Sequence, residues 1–478
     1  MQYPLLFPYG EDGFTLDINY IDSPSRKKPK QKYVTMREYY AYIIQQRSTY
    51  KNTLLRGGRL LQQFIVDTYA IIEEEILLFI RNNQKQLRAE LYKGLKYAFA
   101  RGDNNANTVG KRIVLPSSFT GSPRYLLQNH QDSMAICRYY GCPDLFITFT
   151  CNANWKEIQD ALNSIPNQKA EDRPDITSRV FKIKLLTYTI EFKKRGLPHV
   201  HILLWLHHDS KCSSPDDVDK IITAELPHKF LDPTGYKAVA EFMIHGPCGL
   251  ARPTSSCMIK GFCSKYYPKD FETSTTINED GFLIYRIRDI PNCVTTKNNI
   301  KLDNQYVVPH NRDLIVKYQA QINVEICGQS RAIKYLFKYI NKGLDRARVI
   351  LENKNSNDQA HNSNANFTSL HKQQQEDIEV DEIKTYLDCR YLSAYEACWR
   401  LFAFPIHHRE PVVQRLVVHL PEQQNIYFHD HETISGVIHR PDITKTTFTE
   451  WMTCNQNDQN GHHLLYVDFP TEYVWHEQ

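Results

Sequence analysis

Between Leu185 and Leu206 the sequence reads as two β-strands joined by a short polar turn, Lys193-Lys194-Arg195-Gly196-Leu197-Pro198. The segments 185–192 and 199–206 are rich in β-branched, aromatic and aliphatic residues. The Gly and Pro of the turn fold the second strand back along the first. This feature constrains the chain more than any other. Residues two apart in a strand point to one face, so His199 and His201 project side by side while Val200 and Leu204 pack elsewhere. The fold-back also sets Glu191 across the ladder, within reach of the two imidazoles. Two imidazoles and a carboxylate with coordination positions left open have the make-up of a catalytic metal site, not a closed structural one. A His-x-His pair alone also fits two histidines held by hydrogen bonds within a sheet.

The rest of the chain supplies both helices and strands. Thr35 followed by Glu38 is a capping box heading a helical stretch. Residues 36–100 read as helices, with Leu60, Leu61, Phe64, Ile65, Thr68, Tyr69, Ile72 and Ile76 at helical spacing. A further helix is expected around Tyr125–Tyr140, and Asp144–Thr150 alternates as a strand does. The unequal runs of helix and strand argue for an α+β core. The chain has 478 residues, 41% hydrophobic and 23% charged, which suits a globular protein of several domains. No run of 18 apolar residues is present, which argues against a membrane span, and no secretory signal is visible. The net charge of +4 is only weakly suited to a polyanionic partner. Twelve cysteines are scattered without a Cys-x-x-Cys pair, as expected of thiols that are free or metal-bound in a reducing compartment. The basic run Arg26–Lys32 reads as a solvated linker, or as a nuclear-import or phosphate-binding patch. No phosphate-binding glycine loop occurs, so no nucleotide is expected.

Two other stretches carry candidate chemistry. Arg331–Lys342 reads as a short helix ending at Gly343. Tyr335 and Tyr339 are four apart and share a face, with Lys334, Lys338 and Lys342 flanking them. A phenol with a pKa near ~10 is a poor nucleophile, but a divalent cation polarising a phosphodiester lowers the demand on it. The same pattern suits an amphipathic core helix. The Gly- and Pro-rich stretch 245–271 reads as irregular and holds His245, Cys248, Cys257 and Cys263, a set that can bind structural Zn²⁺ although its spacing is not that of a standard finger. Free buried thiols fit it as well. Lys265 and Lys269 lie close by.

Taken together these motifs carry a resemblance. Gln2-Tyr3-Pro4-Leu5-Leu6-Phe7-Pro8-Tyr9-Gly10, Phe146-Ile147-Thr148-Phe149-Thr150, Lys194-Arg195-Gly196-Leu197-Pro198-His199-Val200-His201, the stretch from Val308-Pro309-His310 to Gly343, and Asp381–Pro421 occur in order. In them the chain resembles the Helitron helicase-like domain, the replication-initiator region of Helitron rolling-circle transposases in the HUH endonuclease superfamily. The resemblance implies an HUH-type antiparallel sheet core flanked by helices, with an N-terminal helical region and a C-terminal extension. It implies a Mg²⁺ or Mn²⁺ ion on His199, His201 and Glu191. It implies attack by Tyr335 or Tyr339 on single-stranded DNA at transposon ends, leaving a free 3′-hydroxyl and a 5′-phosphotyrosine link. Lys338 would stabilise charge on the transferring phosphate, and Lys193, Lys194 and Arg195 would grip the strand. A nuclear location is expected of a eukaryotic member.

The resulting division is an N-terminal loop and helical region over 1–109, an HUH-like catalytic core over 110–351 with a Cys-rich insertion at about 240–275, a disordered polar linker over 352–380, and a C-terminal region over 381–478. In the family that last region leads to a helicase in cis, which is not found in this sequence, and the abrupt opening suggests a fragment of a longer polypeptide. Two alternatives stand beside nicking. A β-barrel iron oxygenase would place its Glu after the His pair, where Ile202–His208 holds no carboxylate. A transposon-derived DNA-binding remnant would keep the fold without turnover.

Overall fold

The structure, a computed structural model, describes residues 2–20, 32–47, 53–83, 87–109, 111–112, 115–185, 188–192, 197–212, 214–278, 283–327, 381–388, 390–429 and 431–474. Helices alternate with small antiparallel sheets, as the α+β reading expects. The strands are β1 (Leu87–Leu91), β2 (Lys111–Arg112), β3 (Leu145–Thr150), β4 (Tyr188–Phe192), β5 (Pro198–Leu204), β6 (Met258–Ile259), β7 (Phe262–Cys263), β8 (Thr276–Ile277), β9 (Leu283–Ile284), β10 (Thr295–Lys297), β11 (Ile300–Leu302), β12 (Ile322–Ile326), β13 (His407–His408) and β14 (Asn425–His429). The chain divides into two compact units, one of Met1–Glu73, Asn129–Asp345 and Tyr391–Pro411, the other of Glu74–Gln128, Arg346–Arg390 and Val412–Gln478.

The first unit is built on a five-stranded sheet in the order β12-β3-β5-β4-β13, every neighbouring pair antiparallel. Period-two alternation gives the sheet two unlike faces. Leu145, Ile147, Phe149, Val200, Ile322 and Val324 point to one side and enter the main core with Phe181 and Trp399. Fully burying each large apolar side chain stabilises the fold by roughly 1.5–3 kcal/mol.

The helix Ala394–Leu401 joins that core to a second one. Tyr395 and Trp399 lie against the sheet's cluster, whereas Ala397, Cys398 and Leu401 pack with Leu6, Ile44, Leu55, Leu61 and Ile65. Helical spacing puts the two sets on different sides of one short helix. The helix Met36–Ile43 opens with the expected box: Glu38 N donates to Thr35 Oγ1 at 3.3 Å and Thr35 N donates to Glu38 Oε2 at 2.9 Å. At the head of Pro174–Lys184 a fully buried ion pair is bidentate, Arg173 Nε and Nη2 each donating to Asp175 at 2.9 Å. Gln46 Oε1 accepts from Arg173 Nη2 at 3.1 Å, and Arg179 also bonds Asp175.

The second unit has its own small sheet, β14-β1-β2, over a core of Leu95, Ala106, Ile426, Phe428, Ile434 and Val437. Here one expectation fails. Leu87–Leu91 falls within a stretch read as helical, yet it is the central strand, pairing Leu87 with His429 and Leu91 with Asn425. Its partner lies more than three hundred residues away, and such a ladder leaves no local periodicity to read. The linker expected at 352–380 lies outside the described residues. Among the described residues, no helix is long and apolar enough to cross a membrane.

Candidate functional site

The sheet face opposite the core is polar at its centre. His199 and His201 stand on it two residues apart in β5, only 7% and 9% exposed, their rings 5.1 Å apart and nearly perpendicular. The ladder defines what lies beside them. Thr150 and Glu191 are the register partners of His199 on either side, and Thr148 and Thr189 are those of His201. The sequence therefore places Glu191 correctly at the level of the backbone register.

Two neighbours orient His201. Thr148 Oγ1 shares a hydrogen bond of 3.1 Å with His201 Nδ1. Phe146 stacks on the imidazole, with 5.2 Å between centroids and 8° between planes. With Nδ1 directed at Thr148, a cation would be met by Nε2, since the partner of one ring nitrogen decides the use of the other. Two buried imidazoles on one strand, one of them held by Thr148 and Phe146, are a donor set that suits a divalent cation.

The same face extends into β12. Asn323 is the register partner of Thr148, which puts it in the row of His201. Its Nδ2 donates to Glu325 Oε1 at 2.8 Å, and its Oδ1 is buried without a hydrogen-bond partner among the described residues. Glu325 lies close enough to Tyr267 and Tyr285 to add to the effect of burial, and both phenols are pushed well above their ordinary range. Tyr285 Oη accepts from Ile326 N at 3.0 Å.

The Cys-rich stretch closes on itself. The ligand atoms of His245, Cys248, Cys257 and Cys263 all lie within 4.8 Å of one another, with Cys263 Sγ 3.3 Å from His245 Nε2. The stretch is less irregular than its composition suggests, because β6 and β7 form a hairpin inside it. Burial pushes the Cys248 thiol up to about 12, reinforced by hydrogen bonds to Cys263 and Cys257. For Cys263 burial acts upward too, but backbone N–H groups of Tyr267 and Lys265 and the neighbouring thiols bring it below the ordinary value. Burial, with Lys297, Lys265 and Lys269 nearby, lowers His245. Lys269 is itself half-buried, its ammonium 5.2 Å from the ring centre of Tyr267.

Tyr335, Tyr339 and Lys338 lie outside the described residues, as do Lys193, Lys194 and Arg195.

Comparison with known families bears on this geometry. Residues 39–187 match the Helitron helicase-like domain at N-terminus. The matched stretch contains β3, and with it Phe146 and Thr148, and stops just before β4. The Helitron resemblance of the motifs is thus met over that part of the chain. A Helitron-related domain points to the transposase family and to association with DNA. No curated protein matches the chain.

The letters of Lys194–His201 alone do not reveal Phe146, Thr148, Asn323 and Glu325 as parts of the histidine face. For the first two a signal exists. Strand alternation in Phe146-Ile147-Thr148-Phe149-Thr150 separates Phe146, Thr148 and Thr150 from the core residues. Asn323 and Glu325 alternate with Ile322 and Val324 in the same way, but nothing local shows which strand they adjoin.

Proposed function

We propose that this chain is a metal-dependent single-strand DNA nicking and joining enzyme, the HUH-type endonuclease part of a Helitron-related transposase. The observation that carries the reading is the paired placement of His199 and His201 on the polar face of an antiparallel sheet, with Glu191 opposite His199 in the ladder. The Helitron helicase-like match over residues 39–187 supports it.

In this reading His199, His201 and Glu191 hold a Mg²⁺ or Mn²⁺ ion. When bound, such an ion polarises a phosphodiester oxygen and offsets charge that develops at phosphorus. The chain's own residues do the rest. Thr148 and Phe146 fix the plane of His201, with Thr148 Oγ1 accepting from Nδ1–H when Nε2 meets the ion. Lys193, Lys194 and Arg195 draw in the phosphate backbone of an unpaired strand. The phenolic oxygen of Tyr335 or Tyr339 forms a bond to phosphorus as the bond to the 3′-oxygen breaks. The 3′-oxygen leaves as a hydroxyl, taking up a proton, and the phenol gives up its own. The phosphodiester is exchanged for a phosphotyrosine diester, so a later 3′-hydroxyl reverses the step without ATP. Lys338 stabilises the transferring phosphate.

The test uses labelled single-stranded oligonucleotides, Mn²⁺ and a denaturing gel. A protein–DNA band resistant to denaturation, and lost in the Tyr335→Phe, Tyr339→Phe double variant, is expected. An adduct that survives both substitutions refutes these nucleophiles. No adduct with any of a diverse pool of strands favours a DNA-binding remnant without turnover.

A further inference from the structure

The segment between Cys248 and Tyr266 has almost no core of its own. Leu250, Ile259, Phe262 and Tyr266 are 102%, 61%, 79% and 81% exposed, whereas Cys248 and Cys263 are buried at 2% and 6%. A stretch that buries so little apolar surface needs a cross-link to hold one conformation. It nevertheless has a definite fold. Lys260 and Gly261 take positive φ angles of 51° and 85°, the pattern of a tight hairpin turn, and join β6 to β7. That hairpin returns Cys263 to the side of Cys257, and Ser264 N donates to Cys257 O at 2.8 Å. From the other side, His245 N donates to Tyr306 O at 2.8 Å and the imidazole stacks on Tyr267 at 4.1 Å. Lys265 N donates to Cys263 Sγ at 3.4 Å, the kind of N–H contact that supports a thiolate.

We propose that His245, Cys248, Cys257 and Cys263 bind one zinc ion as a closed structural site that fixes this hairpin. The donor set is three sulfurs and one imidazole nitrogen, the composition of closed tetrahedral zinc sites. Zn–S bonds of about 2.3 Å require ligand atoms about 3.8 Å apart, and the four atoms already lie within 4.8 Å of one another. A disulfide would use two of the sulfurs and leave the third sulfur and the imidazole without a role. All four positions are filled by protein, so this ion holds structure and takes no substrate. The site also stands next to the histidine face, because Tyr267, stacked on His245, lies near Glu325 of β12. The hairpin is thereby anchored beside that face. The zinc proposal does not rest on the nicking reading.

The full-length chain, purified without added metal, should carry about one zinc per molecule by atomic emission. Exchange for Co²⁺ should give intense visible bands of a tetrahedral ion with thiolate-to-cobalt charge transfer. The Cys257→Ser, Cys263→Ser double variant should lose the zinc. His245→Cys should keep it and move the cobalt spectrum to that of a four-thiolate site, an outcome that does not depend on whether the double variant folds. Cys248, Cys257 and Cys263 should resist alkylation until a chelator or mercurial strips the metal. Absence of both zinc and cobalt–thiolate bands from the wild-type chain overturns the proposal. So does full zinc content in the double variant, or a cobalt spectrum unmoved by His245→Cys.

Discussion

Thr148 Oγ1 and His201 Nδ1 lie 3.1 Å apart across the ladder between β3 and β5, while Phe146 lies flat against the same imidazole. A ring held at one nitrogen and one face has a single orientation in which to meet a cation. Thr148→Val keeps the side chain's shape and removes the hydroxyl. On the nicking reading it should weaken the metal's hold about 10–100-fold, as loss of an outer partner does. Adduct yield titrated against Mn²⁺ should then reach its half-point at higher metal and recover at saturation. An unmoved half-point would show that the hydroxyl does not orient the ring.

Glu191 and His199 face each other in the register of β4 and β5, and their roles separate in a binding assay. Glu191→Gln and His199→Ala should abolish covalent adduct. Affinity for single-stranded DNA should change by no more than about 3-fold, because phosphate charge supplies most of it. Fluorescence anisotropy over a salt series checks this. A collapse of affinity in step with cleavage would mean that these residues hold the fold.

The histidine pair is legible in the sequence because the period of a strand is two and His199 and His201 respect it. The capping box at Thr35 and the helix over Pro123–Tyr140 are legible because their signals are local. Leu87–Leu91 is not, since it is a strand by virtue of Asn425–His429. Asn323 and Glu325 reach the site through a pairing with β3 that spans about 175 residues, and strand order is a tertiary choice. The cluster of His245, Cys248, Cys257 and Cys263 is legible from density of residue type alone, although the spacing does not reveal the hairpin between Cys257 and Cys263. The expected helix around Tyr335 and Tyr339 lies outside the described residues.

Arg173 and Asp175 have fully buried side chains, and each uses both of its heads on the other. Asp175→Asn leaves the guanidinium in the interior without its counter-charge. Loss of one partner from such a pair typically costs about 3–5 kcal/mol. Urea unfolding should show a loss of this size, and Arg173→Met combined with Asp175→Leu should cost less than the single change. A small effect for Asp175→Asn would mean that the amide oxygens of Gln46 and Gln168, which also accept from the Arg173 guanidinium, hold it without the carboxylate.

His310 predicts a pH dependence. Its ring is buried, Nδ1 donates to Val308 O at 2.9 Å, and Nε2 has no hydrogen-bond partner among the described residues. Burial lowers its pKa to about 4, a little offset by the bond to Val308. Unfolded, the imidazole titrates near ~6.5. Between these values the unfolded chain binds more protons than the folded one, so stability rises with pH. The neutral ring's contribution is fully present above the unfolded pKa. It falls by about 1.4 kcal/mol per pH unit as the medium is acidified, to a total on the order of 3 kcal/mol. Urea midpoints compared between about pH 7 and about pH 5 should therefore drop more steeply for the wild type than for His310→Asn. Parallel curves would show that this ring does not set the acid limb.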